Sequence, residues 1–176
     1  MIMWMKILLI IVVLSPGVTF SKPHQGFGHV KMRGEIVESA CAIATDDVWQ
    51  EIDFGNIPLR DISAGKRSSK AFYIHLLNCE LGKKHGQFWK STQITFAGMP
   101  DQGHPDLFAM KGEGTGVALA ITDDTGNQAV SGEALPPVEL TGKEMDLKYH
   151  LHLVNNGKPL SAGEVSSLVR FMVTYQ

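Results

Sequence analysis

From about residue 30 onward, apolar and polar residues alternate in short runs separated by turn residues. The first run, "HVKMRGEIVESACAI", puts Val30, Met32, Gly34 and Ile36 on alternate positions. "VWQEIDFG" follows, and in "KAFYIHLLNC" Phe72, Ile74, Leu76 and Asn78 share one face. Then come "TQITFAG", "GVALAITDDTGN", "MDLKYHLHLVNNG" and a last run, "VRFMVTYQ". A period of two is that of half-buried strands; no long segment carries the helical period of about 3.6. Gly55-Asn56, Gly98-Met99-Pro100-Asp101, Asp124-Thr125-Gly126-Asn127 and Asn155-Asn156-Gly157 lie between the runs. Such residues supply positive φ or side-chain bonds to the backbone at low cost, as hairpins require. About seven strands at this spacing predict an all-β antiparallel sandwich of immunoglobulin type, with a closed barrel as the alternative. Residues 60–70 and 100–116 read as loops, the second with room for a short strand or helical turn around Leu107 to Met110.

The last run raises a question of pairing. Val169, Phe171, Val173 and Tyr175 fall on one side, Arg170, Met172 and Thr174 on the other, and Gln176 is the final residue. A strand with no returning neighbour exposes a row of N–H and C=O groups and a strip of core. The expectation is that another chain covers both by adding a strand. Residues 22–29, "KPHQGFGH", carry Pro23, Gly26 and Gly28 and can add little to a core. Read alone they form a disordered tail; read with the final run, they form a strand meant for another molecule.

The start of the chain reads as a secretory signal. Lys6 precedes an unbroken apolar run from Ile7 to Leu14, then Ser15-Pro16-Gly17, and Thr19 and Ser21 suit a signal-peptidase site. The apolar core is shorter than the roughly 20 residues a bilayer of about 30 Å requires. Cleavage after Ser21 leaves one domain's worth of chain, 22–176. The formal net charge is −2 and no basic stripe occurs, so nucleic acid is not an expected partner. Lys66-Arg67 and Lys83-Lys84 read as solvated surface pairs. Two cysteines, Cys41 and Cys79, most simply form one disulfide in an exported chain. A metal or redox pair would want C-x-x-C spacing or nearby ligands, which the sequence lacks.

Catalytic chemistry finds little support. His150 and His152 alternate within one run and so share a face that could hold a metal, but spacing places no third His or carboxylate beside them. The plainer reading is a polar outer strand face. His24, His29, His75, His85 and His104 are scattered, without H-E-x-x-H. No G-x-S-x-G occurs, and Ser131 lies in the turn-like "AVSGEAL". Asp123-Asp124 with Gly126 has part of a calcium loop's composition but neither its spacing nor its closing glutamate, so a turn is expected. No enzyme activity, cofactor, metal or small-molecule substrate is expected.

Whole-chain likeness is stronger. "VKMRGEIVESACAI" resembles the first strand of chaperone–usher pilus subunits, and "LLNC" at residues 76–79 is similar to that family's second-cysteine segment. "QITFAG", "GVALAITDDTGN" and the ending "RFMVTYQ" are similar to three further family motifs. "ACAIATDDVWQEIDFGNIPLRDI", "LPPVELTG" and "LVNNGKPLSAGEV" resemble the minor subunits that terminate P-pilus-type fimbriae, although those carry a longer segment before the first strand. The resemblance implies an immunoglobulin-like pilin fold lacking its final strand, over residues 30–176. It implies a groove beside Val169, Phe171, Val173 and Tyr175, filled first by a periplasmic chaperone that grips the carboxylate of Gln176. The extension of a neighbouring pilus subunit then replaces the chaperone at an outer-membrane usher. Gly26, Gly28, Val30 and Met32 would be this chain's own donor strand. The family is exported through the periplasm to fimbriae on the bacterial surface. A terminator would sit at the outer-membrane base and would donate a strand without accepting one. An ordinary shaft or adaptor pilin is the alternative; a tip lectin is disfavoured because the chain leaves no room for a receptor-binding domain.

Overall fold

The computed structural model describes residues 28–34, 40–81 and 89–176. The expected leader, Gly26, Ile36 and the Lys83-Lys84 pair lie outside the described residues. The chain divides into two compact units, Met1–Ile36 and Val37–Gln176. In the first, residues 28–34 form no strand, and Val30 and Met32 are 99% and 91% exposed. The strand expected from Val30 is therefore not formed over these positions. An alternating run is stable as a strand only within a sheet, and no ladder among the described residues includes it.

The second unit contains β1 (Ala42–Ile43), a 3₁₀ turn (Thr45–Asp47), α1 (Leu59–Ser63), β2 (Ser68–Leu77) and β3 (Ser91–Ala97). There follow β4 (Phe108–Ala109), β5 (Lys111–Gly112), β6 (Val117–Asp123), β7 (Val138–Glu139), β8 (Met145–Asn155), β9 (Val165–Ser166) and β10 (Arg170–Tyr175). One sheet has the order β1-β2-β8-β6-β4 and a second β10-β3-β7, while β5 and β9 form a small ribbon. Every strand ladder is antiparallel. The short strand anticipated around residues 107–110 is β4.

Alternation decides which side chains meet between the sheets. Ile74 and Leu76 of β2, Leu147, Tyr149 and Leu151 of β8, and Leu119 and Ile121 of β6 turn inward, and all are under 9% exposed. They join Ile94 and Phe96 of β3, each 2% exposed. Phe72, Phe96 and Tyr149 pack ring on ring, with centroids 5.1 to 6.0 Å apart. Burial pushes the Tyr149 phenol well above its ordinary pKa, with the Asp123 carboxylate adding to the shift. The Cys41–Cys79 disulfide is formed and ties the start of β1 to the end of β2.

Three further sequence expectations differ from the fold. "VWQEIDFG" is not a strand, because side chains satisfy the backbone there instead of a ladder. The Asp47 carboxylate accepts the His75 N–H at 2.6 Å and lies 2.8 Å from His75 Nδ1. Gln50 donates its amide to the Tyr73 carbonyl at 2.7 Å. Residues 44–50 are thereby fastened along β2. The segment 60–70 is more ordered than a loop: Pro58, its φ fixed near −63°, starts α1, Ile62 anchors it at 4% exposed, and Gly65 at φ +71° ends it. β2 then begins at Ser68. Asn78 does not continue the inward face of β2; it turns at φ +52°, a conformation asparagine tolerates.

The turn at residues 98–101 hides a structural carboxylate. Asp101 is 6% exposed and accepts from Gly103 N (2.9 Å), His104 N (3.3 Å) and Asn156 Nδ2 (2.9 Å), with Lys158 Nζ at 3.8 Å. Burial alone would raise its pKa, but these donors together hold it below the ordinary 3.8. A depressed carboxylate pKa adds stability above pH 3.8, and this is lost as pH falls through the folded-state value. Asp101→Ala leaves the Asn156 amide without its carboxylate partner and is expected to cost about 2–3 kcal/mol in urea unfolding at pH 7. The deficit should shrink on approaching pH 3.

Candidate functional site

The outer edge of the three-stranded sheet is β10, which pairs with β3 from Arg170↔Ala97 to Tyr175↔Thr92. Among the described residues it has a ladder partner on that side alone. The inward side chains Phe171, Val173 and Tyr175, with Val169 just before the strand, pack on the core but stay half-buried. Their cross-strand partners on β3, Phe96, Ile94 and Thr92, are 2%, 2% and 0% exposed. One strand further out, the same inward orientation therefore fails to close the core. An edge of this kind presents backbone donors and acceptors beside an apolar strip, the surface that a docked strand satisfies.

The ends of the strand are held firmly. Thr92 Oγ1 donates to the Thr174 carbonyl at 3.1 Å, and Thr174 Oγ1 to the Gln93 carbonyl at 3.3 Å. The Gln176 oxygen accepts from the N–H groups of Lys90 and Ser91 at 2.6 and 3.0 Å. The Tyr175 hydroxyl donates to the Cys41 carbonyl at 3.2 Å, and its ring meets Trp89 edge-on at 6.1 Å. At the other end, a methyl on Gly98 would come 2.9 Å from Phe108 and 3.2 Å from Val169, so only glycine lets β3 and β10 close up there.

Other sequence candidates serve structure. His150 and His152 do lie on one face, their rings stacked 6.1 Å apart. Spacing places no carboxylate beside them; the fold does, because pairing of β6 with β8 sets Thr122 opposite His150 and brings Asp124 to 3.3 Å from its Nε2. Asp124 also takes Lys148 at 2.9 Å, and these donors lower its pKa. His152 Nε2 lies 3.1 Å from Thr122 Oγ1. Burial first, then Arg67 and His150, lower its pKa. Among the described residues no three His, Cys, Asp or Glu side chains gather to hold a metal. Asp123 accepts from the N–H groups of Thr125 and Asn127 and from both their side chains, which is the expected turn. Ser131 Oγ accepts from the Gly98 N–H and donates to the Gly98 carbonyl.

Comparison with known proteins bears on this edge. The family profile described as "Fimbrial: Fimbrial protein" matches residues 30–176. The chain is 38% identical to the PRS and PAP fimbrial minor pilin proteins of Escherichia coli, in each case over 152 residues, 85% of this chain and 77% of the relative. Among solved structures, a chaperone–usher pilus studied for rod uncoiling shares 26% identity at a TM-score of 0.70, covering 89% of this chain and 99% of that one.

Proposed function

The chain belongs to the fimbrial protein family, and from that premise we propose that it is a minor fimbrial subunit that ends fibre growth and holds the fibre base. At the coarser level it is a structural subunit of chaperone–usher fimbriae and not an enzyme, and subunits of such pili polymerise with their neighbours. The finer reading is that β10 borders an acceptor groove, bound by the periplasmic chaperone before delivery to the usher. The observation that carries it is the unfinished core at β10, where Phe171, Val173 and Tyr175 stay half-buried over fully buried partners. In this reading Gly28, Val30 and Met32, with Gly26 ahead of them, are the strand donated to a neighbour; Val30 and Met32 stand exposed as donated anchors would. The terminator role draws support from identity, which is 38% to minor pilins against 26% to the pilus solved for its rod.

Strand exchange tests it. The purified chaperone complex is mixed with a peptide from a sister subunit's extension, and release of the chaperone is followed. A terminator should show no release over hours while a shaft subunit treated alike exchanges. Prompt exchange would remove the terminator role and leave a shaft or adaptor pilin.

A further inference from the structure

We infer that Val48 and Trp49 form a second contact surface, separate from β10, which docks a basic-rimmed apolar pocket on the adjoining subunit. The inference rests on the fimbrial reading above. Trp49 is 76% exposed and Val48 65%, the bulkiest exposed neighbouring pair among the described residues of the second unit. Single exposed apolar residues need no explanation, but this pair sits on a segment fastened at both ends. Asp47 before it is bonded to the His75 backbone and ring, and Gln50 after it to the Tyr73 carbonyl, so the backbone that carries the pair is fastened along β2 on both sides. Beside these anchors, Tyr73 is 40% exposed and stacks on His75 with ring centroids 5.9 Å apart. An indole carried on a fastened segment suits a binding hot spot, because little loop entropy remains to be lost on docking.

Charge selects the partner. Asp46, Glu51 and Asp53 are exposed around the pair, and no Lys or Arg occurs in the sequence between Arg33 and Arg60. Lys148, opposite Tyr73 across the β2–β8 ladder, is already committed to Asp124 at 2.9 Å. An apolar centre inside an acidic rim complements an apolar pocket ringed by Lys or Arg and repels an acidic one. It also bears on orientation: a second contact, apart from a docked strand, would constrain the angle between subunits more than the strand alone.

The test uses the full chain expressed with its own fimbrial partners. Trp49 is replaced by p-benzoylphenylalanine and purified fimbriae are illuminated; cross-links should fall on the adjoining subunit beside Lys or Arg. Trp49→Ala should speed dissociation from that subunit roughly tenfold or more, and Glu51→Lys several-fold, the latter effect fading in high salt. Both positions are exposed, so folding is not at stake. Cross-links to lipid, glycan or a second copy of this chain, or wild-type dissociation in both variants, would overturn the inference while leaving the strand-exchange result untouched. Absence of the wild-type chain from purified fimbriae would overturn the fimbrial placement and this inference together.

Discussion

Deleting residues 171–176 is expected to abolish accumulation of the protein in the periplasm. The deletion removes the β10 side of the ladder with β3 and uncovers Phe96 and Ile94, each 2% exposed. It also strips off Phe171, Val173 and Tyr175; a fully buried side chain of this size is worth about 1.5–3 kcal/mol, and these are half-buried. Each lost ladder hydrogen bond adds about 0.5–1.5 kcal/mol. Together these losses rival the whole stability of a typical domain, about 5–15 kcal/mol. In the proposed reading the same strand is the chaperone's handle, so capture should fail as well. Immunoblots of periplasmic extracts and chaperone pull-downs measure the two effects, and normal levels of the truncated chain would contradict the assignment of β10. Met172→Ala is the control: that side chain points outward at 57% exposed and should change stability by no more than about 0.5 kcal/mol.

Cys41→Ser ranks second. The bridge closes a loop with a sequence separation of 38, worth about 4 kcal/mol in the chain-entropy model. Its loss should lower the urea midpoint of the purified protein sharply under oxidising conditions, and wild type and variant should converge in reductant. The local hydrogen bonds sharpen the expectation. The Cys41 carbonyl receives the Tyr175 hydroxyl, Glu80 N–H donates to the Ala40 carbonyl at 2.7 Å, and Cys79 N–H donates to the Lys143 carbonyl at 2.9 Å. Opening the bridge should therefore loosen the end of β10 too, visible as faster amide exchange at Gln176 and Tyr175. Unchanged exchange there would show that the bridge acts through the unfolded chain alone.

The long strands were legible because each carries its own evidence. In β2, β8 and β10 apolar residues recur at alternate positions (Phe72, Ile74 and Leu76; Leu147, Tyr149, Leu151 and Leu153; Phe171, Val173 and Tyr175), and those are the positions found inward. β6, by contrast, is apolar and buried without a break from Ala118 to Ile121. The half-buried face of the final run could be read for the same reason. What could not be read depends on residues far apart in sequence. Nothing near "VWQEIDFG" announces that Asp47 will meet His75, so a local pattern suggested a strand where a fastened loop forms. α1 is a five-residue helix, too short to show a 3.6-residue period, and its start rests on one proline and its hold on one isoleucine. Asp124 reaches His150 only through the β6–β8 register. The exposed Val48-Trp49 pair lay unrecognised within a segment read as a half-buried strand.

The closing ladder of the fold joins residues that are distant along the chain: Gln93 and Thr174, bonded across β3 and β10, are separated by 81 positions. Such a pairing forms only after a large loop has been closed, and proteins dominated by non-local pairing fold slowly, on the order of milliseconds to seconds. During that interval the flank of β3 that β10 comes to cover lies open. The waiting time itself then opens a kinetic window; under the proposed reading, a helper that recognises bare strand edges would have to act within it, ahead of aggregation and proteolysis.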